Sequence, residues 1–256
     1  MSPAPSRAGL GLDRSRDGAR ADLRIAIPPA NVLGVGALAE LARAVASAND
    51  ARVLVLSGLP KAFSAGVDVA DHVPEPEPIR RMLAAMREVL EALVATPAIT
   101  LASVSGACLG GGAEIVAACD LALCADDARI GFPEITLACF PPGAVALLPL
   151  AIGESRAAEW ILSGRIVSGR EAEEAGFVSR SVAPDRLAEE VDRLAARLAG
   201  HAPGGLAAAR DLLRAGRREA LATRLAAAEE AYRGLAGDAD LAKAVRDFHA
   251  GRRGSR

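Results

Sequence analysis

Two glutamates, Glu114 and Glu134, stand twenty positions apart in a mostly apolar stretch, CLGGGAEIVAACDLALCADDARIGFPEI (108–135). A carboxylate in such surroundings costs free energy unless a partner or a reaction makes use of it. Gly110, Gly111 and Gly112 precede the first glutamate. They follow a strand-like run and lead into a helix-like one, and a turn without Cβ atoms lets a ligand approach the backbone. The first N–H groups of the new helix have no intrahelical partner, and the positive end of the helix dipole lies behind them. That arrangement suits a phosphate or a developing oxyanion, with Glu114 in the first turn beside it. In a second loop, AFSAGVDV (62–69), Gly66 frees the chain so that the N–H of Val67 could turn outward. Two N–H groups from separate loops could then converge on one carbonyl oxygen; the plain alternative is a pair of tight turns serving only close packing. Glu134 follows a proline in GFPEI, which brings the chain in extended. A lone loop glutamate is ordinarily solvated. Two glutamates bracketing one oxyanion site form a general acid/base pair, one activating water and the other delivering a proton to carbon.

Other residue types point to rival chemistries. GVGALA (34–39) matches a G-x-G-x-x-A dinucleotide pattern, but the next strand, RVLVLSG, ends without the acidic residue that would grip a ribose. Ser64, Ser103 or Ser105 could serve a hydrolase, yet none of His72, His201 and His249 has a motif context pairing it with a serine. A non-catalytic binding protein would not need two glutamates. Cys108, Cys119, Cys124 and Cys139 lack C-x-x-C spacing and a nearby histidine, so they read as reduced, buried packing residues rather than zinc ligands, which points to a reducing cytoplasmic compartment.

The elements that must position these groups follow from periodicity. The 256 residues are 51% hydrophobic but only 3% aromatic, so the core is built from Ala, Leu, Val and Ile. A net charge of −2, with Lys61 and Lys243 the only lysines and arginines scattered, excludes a basic nucleic-acid stripe. Glu114 interrupts the longest apolar stretch, so no membrane span is expected. Residues 1–20, rich in Arg and Ser, read as a loose tail. Strands are expected at 21–27, 51–58, 98–106, 120–125 and 177–182, with helices at 35–48, 79–95 and 113–118. Ser168-Gly169-Arg170-Glu171 is a capping box that starts a helix at 169. The PEPEP run at 74–78 reads as irregular chain, a candidate lid (73–78) over a site. From 184 to 256 the Ala/Leu/Arg/Glu-rich sequence gives helices broken at GHAPGG (200–205), whose apolar faces need a partner. Trp160 and Tyr232 are expected to pack at an interface.

Residues from about 20 to 256 resemble the enoyl-CoA hydratase/isomerase (crotonase) superfamily. The marks are RVLVLSG, AFSAGVDV, SVSGACLGGGAEIVAACDLALCADDARIGFPEI and ILSGRIVSGREAEEAGFVSRSV, in the family's order and at its intervals. The resemblance implies an α/β fold, a spiral of repeated β-β-α units over 21–183 with a helical trimerisation region at 184–256, assembled as a homotrimer or a dimer of trimers. It implies an acyl-CoA substrate whose thioester oxygen is held by the backbone N–H groups of Val67 and Gly111. Ser64, Ala65, Gly66, Asp68, Gly110 and Pro142 would line the substrate. Glu114 and Glu134 fall where hydratases keep the residue that activates water and the one that protonates the α-carbon. No metal or redox cofactor is implied, since CoA comes with the substrate, and isomerase and acyl-CoA hydrolase remain alternatives on this fold. Two departures stand out. FPPGAVALLPLAIG (140–153) places Pro142, which lacks an N–H, where a glycine is common, and makes the acyl loop bulkier. Ala70 replaces a lysine that some relatives place near the CoA adenine, a contact left to Lys61 or nearby arginines. FSAGVDVADHVPEP and FPP together resemble the hydratases of cyclohexa-1,5-diene-1-carbonyl-CoA in aromatic degradation.

Overall fold

The computed structural model describes residues 9–15, 17–71 and 74–254. Its first unit is β2 (Arg20–Ala26), β3 (Val32–Leu33) and α1 (Val35–Ser47), preceded by β1 (Gly9–Arg14). A second unit comprises β4 (Val53–Ser57), β5 (Ala62–Ser64), β6 (Gly66–Val67) and α2 (Pro76–Ala95). The third is β7 (Ile99–Val104), β8 (Ala107–Leu109) and α3 (Gly111–Ala118). The fourth is β9 (Leu121–Ala125), β10 (Arg129–Gly131) and α4 (Pro142–Ile152). In each unit a first strand joins a six-stranded sheet and a shorter one turns off it. The large sheet runs β1-β2-β4-β7-β9-β12 and a smaller one β11-β10-β8-β5, while β3 pairs with β6. Here β11 is Ile166–Ser168 and β12 is Arg180–Val182.

Neighbours β2, β4, β7, β9 and β12 are parallel, so each unit advances by one strand position and the chain winds as a spiral. Parallel strands covered on both faces should read as unbroken apolar runs, and VLVL of β4 is buried throughout. The core is aliphatic. Val53, Leu54, Leu56, Leu101 and Val104 meet Leu38, Leu41 and Leu93 from the helices.

Past α5 (Glu154–Ser163), α6 (Gly169–Ala175) and β12, the chain is helical: α7 (Leu187–Ala199), α8 (Pro203–Leu213), α9 (Ala215–Ala220), α10 (Ala226–Arg233) and α11 (Ala239–Gly254). The capping box that starts α6 is complete: the Glu171 N–H donates to Ser168 Oγ at 3.2 Å, and the Ser168 N–H to Glu171 Oε2 at 2.8 Å. Among the described residues no helix is long and apolar enough to cross a membrane.

Three expectations need correction. The supposed tail contains β1, antiparallel to β2 from Gly9 opposite Ala26 to Arg14 opposite Ala21, because Leu10 and Leu12 alternate onto the core; residues 1–8 lie outside the described chain. PEPEP is not wholly irregular, since α2 begins at Pro76 and takes in Pro78. The first N–H groups of a helix have no intrahelical acceptor, so prolines in its first turn forfeit nothing. The rest of the expected lid includes residues outside the described set. Trp160 and Tyr232, 3% and 1% exposed, are buried within the chain: Trp160 packs edge-on to Phe177 at 5.9 Å, and Tyr232 leans on Phe140 at 5.4 Å.

Candidate active site

The glycine turn forms where β8 hands over to α3. Gly110 has φ +51°, a conformation that a side chain disfavours, and its N–H donates to the carbonyl of Gly131 at 2.9 Å. This bond ties the turn to the end of β10, from which the chain continues to Glu134. A Cβ on Gly110 would collide with Glu134 Oε1, so the bare glycine is what admits the carboxyl to this position. The chain does not reach Glu134 extended: Phe132 has φ −126° and ψ 78°, and Pro133–Leu137 close into a 3₁₀ turn that contains Glu134.

The second loop meets the first. Asp68 N–H donates to Leu33 O at 3.1 Å, on the β3 side of β6. Bonding directions alternate along a strand, so the Val67 N–H faces the opposite way. That way lies Gly111: a Cβ there would stand 3.4 Å from Val67 N, 2.7 Å from Val67 Cγ2 and 2.6 Å from Met86 Cε. Gly111 is the first residue of α3, where the N–H has no intrahelical acceptor. Gly66, at φ +102°, makes the approach possible, since a Cβ there would stand 3.0 Å from the carbonyl oxygen of Leu109.

Glu114 lies on α3, a helix buried on nearly all sides, and is itself only 4% exposed. Its Oε1 accepts the Ala144 N–H at 3.0 Å, from the first turn of α4. Gly143 admits the carboxyl there, because a Cβ would stand 3.0 Å from Oε1. Pro142 contributes no donor, and the N–H groups of Gly143 and Ala144 face the carboxylate in its place. Burial raises the Glu114 pKa above the ordinary range, partly offset by those two donors. Burial also raises Glu134, and the charge of Glu114 pushes it further. Its Oε2 is enclosed without a hydrogen-bond partner. Desolvation and like charge together favour a proton held between the two carboxyls at a pH where ordinary carboxyls are ionised.

Both glutamates open into one cavity, with about 700 Å³ of atom-free space that includes its open mouth. Ala65, Gly66, Val67, Gly110, Gly111 and Pro142 line it as well. Ser64 does not, and is corrected here: it is fully buried, its hydroxyl donating to Asn31 O at 2.7 Å and accepting the Gly66 N–H at 3.1 Å. It shapes the loop from behind. Asp68 is likewise absent from the lining. Ser105 donates to Leu59 O at 3.2 Å, and His72 lies outside the described residues. The N-terminus of α1, which carried the dinucleotide pattern, is taken by a carboxylate: the Val35 N–H donates to Asp71 Oδ2 at 3.0 Å.

The remaining wall was not foreseen. Met82, Leu83, Met86 and Arg87 come from α2, Phe140 from the loop before α4, and Leu225, Glu229 and Tyr232 from the C-terminal helices. A wider π turn over 221–225 leads into α10, a local geometry found often at functional sites. Leu225, Glu229 and Tyr232 recur at helical spacing, so an acid on an apolar helix face was the available signal.

Known proteins are similar to this chain in sequence and fold. Residues 18–253 match the family model described as enoyl-CoA hydratase/isomerase. The cyclohexa-1,5-dienecarbonyl-CoA hydratase of Thauera aromatica is 34% identical over 77% of this chain and 74% of its own. The 2,3-dehydroadipyl-CoA hydratase of Escherichia coli K12 is 31% identical over 80% of each chain. The crystal structure of an enoyl-CoA hydratase/isomerase from Xanthobacter autotrophicus Py2 superposes with a TM-score of 0.85 at 27% identity, covering 97% of this chain and 94% of that one. The spiral is therefore the crotonase fold, and the chain belongs to the enoyl-CoA hydratase/isomerase family.

Proposed function

We propose that the protein adds water across the conjugated double bond of an enoyl-CoA thioester, with a cyclic dienoyl thioester as its preferred substrate. The observation that carries the reaction type is the convergence of Glu114, Glu134 and the Val67 and Gly111 backbones on one cavity. The thioester oxygen accepts the two backbone N–H groups, each stabilising the developing enolate oxyanion by ~3 kcal/mol on the scale of comparable donor deletions. Glu114, as the carboxylate, takes a proton from water as it attacks the β-carbon. Glu134, as the acid, delivers one to the α-carbon. The opposed electrostatics of the pair favour one proton between them, which is the state this division of labour needs. CoA travels with the substrate and no further cofactor enters these steps.

The cyclic substrate rests on the low, apolar acyl wall of Met82, Met86, Leu137, Phe140 and Pro142, and on the relative from Thauera. The test is mass spectrometry after incubation in ¹⁸O-labelled water with crotonyl-CoA, cyclohex-1-ene-carbonyl-CoA and the 1,5-diene thioester. Labelled hydroxyacyl-CoA from the diene alone is expected. Labelled product from crotonyl-CoA alone would keep the chemistry and overturn the substrate; free CoA, or a product of unchanged mass, would overturn hydration.

We also place the chain in a homotrimer or a dimer of trimers. In support, α8 buries none of its residues, and Leu212 and Leu213 are 78% and 79% exposed. Native mass spectrometry showing a monomer at micromolar concentration would contradict this.

A further inference from the structure

Between α2 and α10 the cavity wall is not apolar. Arg87 and Glu229 both line it, and Glu229 is only 6% exposed. The guanidinium donates from Nε to Glu229 Oε1 and Oε2 at 3.0 and 3.1 Å, and from Nη2 to Oε2 at 2.5 Å. Its Nη1 faces Glu91 Oε1 at 3.3 Å, on the solvent side of the same helix. One cation thus serves two carboxylates, and the cluster carries a net negative charge. Glu229 lines the cavity, and its Oε1 receives a single shared N–H, although a carboxylate oxygen can accept two hydrogen bonds. Around it stand Met82, Leu83, Met86 and Leu225, which offer no competing polar group.

We propose that the Arg87–Glu229 pair sets acyl selectivity, admitting neutral acyl groups, favouring one with a hydroxyl at its far end and rejecting one that ends in a carboxylate. This rests on the acyl-CoA reading of the cavity but not on the direction of the chemistry. A terminal carboxylate would meet an acid already holding the arginine, in a poorly solvated wall where like-charge repulsion is least screened. A hydroxyl can donate to Glu229 Oε1, which has capacity for a second hydrogen bond. A methyl end asks for nothing. The competing role, a tie that only fastens α10 to α2, predicts no dependence on the acyl end.

The experiment is calorimetric titration of the intact protein with three unreactive saturated thioesters: hexanoyl-CoA, 6-hydroxyhexanoyl-CoA and adipoyl-CoA. The wild type should bind adipoyl-CoA about tenfold or more weakly than hexanoyl-CoA, and 6-hydroxyhexanoyl-CoA more tightly than either. In Glu229→Gln, which keeps shape and loses charge, the adipoyl gap should fall to about threefold or less. A wild-type gap of about threefold or less, or one that persists in Glu229→Gln, overturns the proposal. The wild-type comparison stands alone should the variant fail to fold. If none of the thioesters binds, the acyl-CoA reading fails and takes this proposal with it; binding without a charge gap sinks this proposal alone.

Discussion

Two of the sites where this molecule buries charge treat it in opposite ways. Arg214 is fully buried, with its Nε donating to Asp120 Oδ1 at 2.7 Å and its Nη2 to Ala98 O at 2.7 Å. Further bonds reach Asp120 Oδ2 and the carbonyls of Val94 and Thr96, which are left unpaired where α2 ends. Asp120 Oδ2 also accepts the Thr100 N–H at 2.8 Å and its hydroxyl at 3.1 Å. Every polar atom is answered. At Glu114 and Glu134 the partners are few, one oxygen is orphaned, and the two acids oppose each other. A buried charge that is fully paired fixes structure. One left short of partners destabilises the fold and remains available for chemistry.

The sharpest way to break this contrast is to neutralise each member. Glu114→Gln and Glu134→Gln should each lower turnover by ~10²–10⁴, with acyl-CoA affinity nearly unchanged. Near-normal steady-state rates in either variant would remove that residue from the mechanism. Arg214→Ala should do the reverse, destabilising by ~3–5 kcal/mol because it leaves Asp120 and three carbonyls without their partner. Chemical denaturation measures that loss, while activity per folded molecule should hold.

Next comes pH. The site carboxyls have folded-state pKa values above their unfolded values, so the native state holds protons that the unfolded chain gives up above about pH 4.3. The unfolded state then binds fewer protons, and stability falls as pH rises through the folded values. Glu134→Gln removes the Glu134 share of this slope and leaves that of Glu114. It should be no more stable than wild type at about pH 4 and more stable by ~1–2 kcal/mol at about pH 8. A variant less stable at both would show that contacts of the Glu134 carboxyl outweigh its desolvation.

The smallest expected effect is at Ser64. Ser64→Ala should cost ~1 kcal/mol, from the bonds to Asn31 and Gly66, and change turnover only a few-fold. A loss of all activity with stability intact would make Ser64 a nucleophile after all.

The same contrast explains what could be read from the residues. Glycines with enforced positive φ and acids inside apolar runs are local signals, so Gly66, Gly110, Glu114 and Glu134 stood out without coordinates. The unbroken apolar run VLVL marked β4 for the same reason. What stayed hidden depends on contacts distant in sequence. Arg214 meets Asp120 across 94 residues, and Arg87 meets Glu229 across 142. Ser64 looked like a ligand-facing hydroxyl because its acceptor, Asn31 O, lies on another strand connection. Proline's ordinary effect on helices hid the start of α2, where it is harmless.

The central claim is that two glutamates divide water activation from proton transfer at carbon beside one oxyanion-stabilising pair. Exchange of the α-protons of butyryl-CoA in D₂O, followed by NMR, tests it without any net reaction. The account predicts exchange in wild type, exchange retained within about tenfold in Glu114→Gln, and exchange lost in Glu134→Gln. Exchange that survives in Glu134→Gln, or fails equally in both variants, would contradict it.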